Sequence, residues 1–155
     1  MSKKNLIIAF MCLSLGAMAQ SNKEDVDFIQ SIYGKEKKAV VAQFIQLDGP
    51  QKDAFWKIYD EYEVKRKELG HQRVALLERY AKNYTTLDDA TTDQITKDML
   101  SLGVKTDKLI NTYYGKLKKA SSVKAAAQFV QIESYLLSEV RTAIFESIPL
   151  IDELK

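Results

Sequence analysis

Between Leu47 and Tyr84 the large apolar side chains recur at a helical spacing. Phe55, Tyr62, Leu69 and Leu76 stand seven apart, Tyr59 and Tyr80 lie on an interleaved series, and Trp56, Val64 and Leu77 flank them. This is one face of a helix whose period tolerates supercoiling, with charged residues on its other side. Arg66 and Arg73 hold the positions that would complete the interleaved series, so cations interrupt the seam at mid-length. Over 50–83 the predicted helix would be roughly 50 Å long at ~1.5 Å per residue. A rod of that length needs partners along its whole extent.

The rest of the chain supplies them. Val26, Ile29, Ile32, Tyr33, Val40, Val41, Phe44 and Leu47 predict a helix over 23–46. Gly34 interrupts the pattern, giving one kinked helix or two short ones, and Lys35 to Lys38 reads as a solvated face. The β-branched run at 39–47 also suits a strand, but Ala39, Ala42 and Gln43 favour helix. Asp48, Pro50 and Gln51 form a helix-start signal: an N-cap acceptor, a residue without the N–H that a first turn cannot use, and a capping-box partner. Gly70, inside the long helix, predicts a bend near the two arginines.

A third helix is predicted over 91–118, with Thr91 and Gln94 as its capping box. Ile95, Met99, Leu102, Thr106, Leu109, Tyr113 and Leu117 form its inward series. Lys116, Lys118 and Lys119 give it a cationic end that suits the helix dipole. Ser121 or Ser122 caps a fourth helix over 122–146, with Ala126, Phe129, Val130, Tyr135, Leu136, Leu137, Val140 and Ile144 facing inward. Pro149 stops it, leaving Ile148, Leu150 and Ile151 to fold back or form an apolar tail. The expectation is an all-α fold: a four-helix antiparallel bundle or hairpin built on a long central helix, one domain over 20–155.

The first nineteen residues read as an address. Lys3 and Lys4 precede a short apolar run, Leu6 to Leu15, and Ala17-Met18-Ala19 has the small-x-small pattern that precedes cleavage, here expected between Ala19 and Gln20. The run is too short to cross ~30 Å of hydrocarbon. A secreted or periplasmic protein is expected, with no stable membrane insertion after processing. Processing would remove Cys12, the single cysteine, and turn 23 bases against 21 acids into an equal balance. That leaves no thiol or disulfide, and no net charge to argue for nucleic acid.

Catalytic chemistry is not in view. His71 is the single histidine, and the carboxylates Asp60, Glu61, Glu63, Glu68 and Glu78 alternate with bases as on a wet helix face. No Gly-rich phosphate loop occurs, and no His or Cys pair at helical spacing offers a metal site. No catalytic residue, cofactor or metal ligand is therefore assigned. Basic runs do accompany Tyr33, Tyr62, Tyr113 and Tyr114. They read either as lysines snorkelling around a core or as an amphiphilic groove that holds polypeptide loosely. The residues singled out for such a face are Tyr59, Tyr62, Arg66, Leu69 and Arg73.

The chain resembles the periplasmic Spy/CpxP-like proteins, whose helices start with Leu-Thr-x-x-Gln. Here the motif stands as Leu47-Asp48-Gly49-Pro50-Gln51, and again, without the leucine, as Thr91-Thr92-Asp93-Gln94. Ser121-Ser122-Val123-Lys124 and Gln128-Phe129-Val130-Gln131-Ile132-Glu133 resemble the family's later capped helix. The resemblance implies a cradle-like homodimer of four-helix protomers in the envelope. Members act as ATP-independent chaperones, as inhibitory partners of sensor kinases, or as metal-responsive accessory proteins. The expected function is a non-enzymatic, chaperone-like binder of unfolded or regulatory polypeptides. The alternatives are an inhibitory or sensory partner of a membrane signalling protein (a sensor kinase or anti-sigma system), a metal-resistance sensor, or a plain structural bundle.

Overall fold

The computed structural model describes residues 23–153, with side chains from Tyr33 onward. Among the described residues there are four α-helices and one 3₁₀ turn: α1 (Lys23–Phe44), α2 (Gly49–Asn83), the turn Tyr84–Thr86, α3 (Asp89–Ala120) and α4 (Val123–Ser147). The all-helical expectation holds, and the β-branched run ends in helix rather than strand. α1 continues unbroken through Gly34, and α2 through Gly70.

Side-chain bonds fix how the rods run. Lys38 meets Asp60 across α1 and α2, while Lys116–Glu61 and Arg79–Asp98 tie α2 to α3, each pair antiparallel. Tyr62 bonds Glu133, and Tyr80 Oη donates to the Pro149 carbonyl at 2.8 Å, so α2 and α4 run parallel. α2 and α3 share the longest interface.

The helix starts depart in part from the sequence expectation. Asp48 takes the N-cap position of α2 with extended backbone but makes no side-chain cap bond. Gly49 explains the entry: its φ of 58° lies in the left-handed region that a side chain disfavours. α3 begins two residues earlier than predicted, because Asp88 accepts from the Thr91 amide and caps the helix. The Thr91–Gln94 box does not form, and Gln94 bonds Asp98 instead. Ser122 caps α4 through the Ala125 amide at 3.1 Å.

The core is concentrated at one end. Val41 and Ile45, then Phe55, Tyr59 and Tyr62, meet Ile110, Tyr113 and Leu117 of α3 and Ala125, Ala126 and Phe129 of α4. The two alanines bring α4 close, and the rings lock edge to face: Tyr62 lies 5.0 Å from Phe129 and 5.4 Å from Tyr113. Such pairs add about 0.5–1.5 kcal/mol beyond area burial. In the far half the seam thins. Every fully buried residue of α2 lies between Phe55 and Tyr62, and Leu69, Leu76, Leu77 and Tyr80 are only half-buried. Met99 and Tyr135, expected to face inward, are exposed at 51% and 44%.

Candidate functional site

Two polar features stand on the inner stripe, and they differ in kind. The first is a sealed node where α1, α2 and α4 meet. Lys37, expected on a solvated face, has 2% of its side chain exposed and is the correction of greatest consequence. Its Nζ donates to Glu63 Oε1 at 2.5 Å and to Glu133 Oε2 at 2.7 Å. Tyr62 Oη donates to the same Glu133 oxygen at 2.6 Å. Arg66 Nε donates to Glu63 Oε2 at 2.9 Å, and its guanidinium lies 5.2 Å from the Tyr33 ring centre. Two cations and two carboxylates thus neutralise one another inside the bundle, as buried charge requires.

Electrostatics follow from this burial. Desolvation pushes the Tyr33 phenol up to about 12, with Arg66 opposing and Glu133 and Glu63 assisting. Burial likewise raises Tyr59 and Tyr62 well above the phenol range. For Arg66 burial disfavours the charge, but the Glu63 carboxylate and its hydrogen bond outweigh that and hold the guanidinium above its ordinary value. Two buried oxygens, Tyr59 Oη and Glu133 Oε1, have no hydrogen-bond partner among the described residues. Each such orphan costs roughly 1–3 kcal/mol, so the Glu133 oxygen offsets part of what the node's ion pairs contribute.

The second feature lies farther along. Arg73 is half-buried, and both desolvation and the nearby Arg141 charge lower its hold on its proton. Neither arginine has an ion-pair partner among the described residues. The far half is only partly closed, with Ile95 and Leu102 of α3 buried there. A cleft of about 400 Å³ lies between α2 and α3, lined by Gln72, Leu76, Leu102, Lys105 and the bonded pair Arg79 and Asp98. Met99, Leu100, Val104 and Phe145 are exposed at 51–68%.

The five residues chosen from the sequence are therefore split. Tyr59 and Tyr62 are sealed in the core at 0% and 2% exposure, and Arg66 is engaged by Glu63. The rings do not form an open surface, because α4 lays Phe129 across them. Leu69 and Arg73 lie half-buried in the thin half. The basic–aromatic pattern also resolves within the chain: Lys116 lies 4.5 Å from the Tyr113 ring centre and Lys118 5.4 Å from that of Tyr114. What the sequence concealed was Lys37 and Glu133. A lysine among lysines carries no mark of burial, although the helical phase of Val41, one turn on, places position 37 inward.

Among the described residues, no group of three or more His, Cys, Asp or Glu side chains is placed to hold a metal ion. Nor is any described helix long and apolar enough to cross a membrane. The expected signal-peptide cleavage at Ala19–Gln20 lies outside the described residues. Comparison with family models, curated proteins and solved structures yields no match.

Proposed function

We propose that the chain is exported to the periplasm behind a cleaved signal peptide and works there without catalysis, as a chaperone-like binder of unfolded or regulatory polypeptides. The observation that carries the reading is the unevenness of the bundle. One end is a closed aromatic core. In the other, the same seven-residue pattern continues while Leu69, Leu76 and Leu77 stay half-buried and Met99, Leu100, Val104 and Phe145 stay exposed. Apolar surface of this kind in a charged setting marks a binding region. The resemblance of the helix starts to Spy/CpxP-like proteins supports the same reading, and with it a cradle-like homodimer that would join two open halves.

The gripping surface then belongs to the far half, around Leu69 and Arg73, and excludes Tyr59 and Tyr62. The test is aggregation of a chemically unfolded client, followed by light scattering with the chain from Gln20 onward at near-stoichiometric ratio. Delayed scattering that weakens on Phe145→Ser and Met99→Ser supports the reading. Undelayed scattering removes it. Size measurement by light scattering checks the dimer.

A further inference from the structure

Arg66 and Arg73 sit one heptad apart on the same stripe of α2, yet their surroundings differ. Arg66 has Glu63 three residues back and the Tyr33 ring over it. Arg73 has neither. The register of α2 on α4 shows what it has instead. Tyr62 bonds Glu133 and Tyr80 bonds Pro149, an offset of about seventy residues at both points. Arg73 therefore lies level with the turn of α4 that carries Arg141. At that level the Arg141 charge acts on Arg73, and no carboxylate of the described chain is paired with either.

Like charges on a partly dry seam repel, and a shared anion between them removes the repulsion. A carboxylate can accept from both guanidinium forks at once. The collar is apolar: Leu69, Leu76 and Leu77 lie one turn from Arg73, and Phe145, 63% exposed, lies one turn from Arg141. A free hydrated ion gains nothing from such walls, whereas a carboxylate carried on an apolar polypeptide gains on both counts. We propose that Arg73 and Arg141 together bind one acidic side chain of a polypeptide lying along the far ends of α2 and α4. This rests on the polypeptide-binding reading and names the chemistry it selects: acid set among apolar residues.

The test uses a short labelled apolar peptide with one central glutamate, and its glutamine counterpart, titrated by fluorescence anisotropy against the wild-type chain, Arg141→Gln and Lys124→Gln. Arg141 is exposed, so its replacement leaves the fold intact, and Lys124 controls for the same loss of charge at the other end of α4. The wild type should bind the glutamate peptide about tenfold more tightly, the effect of roughly one charge-assisted contact. Arg141→Gln should bring the ratio to about one, and Lys124→Gln should preserve it. Equal binding of both peptides by the wild type overturns the acid site while polypeptide binding stands. Absence of binding by either peptide overturns both readings. Inorganic phosphate that raises the melting temperature at constant ionic strength, but not in Arg141→Gln, would then assign the arginines to a free anion.

Discussion

Replacing Lys37 by Met tests whether the bundle is organised around its buried charges. The substitution keeps most of the stem but removes the ammonium that Glu63 and Glu133 share and that lies over the Tyr59 and Tyr62 rings. Glu63 keeps Arg66 and is 16% exposed, so its loss is cushioned. Glu133 is not cushioned: it is 5% exposed, retains Tyr62 as a donor, and already has one oxygen without a partner among the described residues. Removing one member of a buried pair and leaving the other costs about 3–5 kcal/mol. Against a domain stability on the order of 5–15 kcal/mol, that is a severe loss.

Removing both members should behave differently. Lys37→Met with Glu133→Met takes away the stranded charge together with its partner, and such replacements are often neutral. The double variant should therefore recover to within about 1 kcal/mol of the wild type, a coupling visible in a double-mutant cycle. Urea unfolding followed by helical circular dichroism gives all four free energies on one scale. A Lys37→Met loss below about 1 kcal/mol would refute the argument, because it would mean that water reaches the node and screens it.

Three further outcomes are expected. Burial holds Tyr33 at about 12 against an ordinary 10.0, so its contribution to stability is intact below pH 10 and lost as pH climbs toward 12; phenolate absorbance should show the most buried tyrosines ionising together with loss of helix, after the exposed ones. Gly34→Ala should stabilise by up to about 1 kcal/mol in thermal unfolding, since the added Cβ meets Glu63 Oε2 at an ordinary 3.5 Å and α1 gains helix propensity. Ser122→Ala should cost about 1 kcal/mol because it removes a formed cap, whereas Asp48→Ala should barely register because Asp48 makes no side-chain cap bond.

The periodicity that spaces Phe55, Tyr62, Leu69 and Leu76 seven apart cannot be satisfied by a strand, so the helical class was legible from the chain alone. The turns at Asp48, Asp88 and Ser122 were legible too, within a residue or two, because capping and glycine conformation act over a few neighbours. Which N-cap side chain makes its bond was not. That depends on backbone geometry at the junction, and Asp48 and Asp88 have the same chemistry with different outcomes.

Position along the stripe was likewise readable, but its meaning was not. Arg66 and Arg73 look alike in sequence. One lies beside Glu63 under Tyr33, the other opposite Arg141, and that difference comes from which helix lies over each turn of α2. Lys37 and Glu133, ninety-six residues apart, form an ion pair because helix packing closes the distance and excludes water. Local order is written in nearest neighbours along the chain. The fate of a charge is decided by what the fold lays across it, through the dielectric and the partners supplied there.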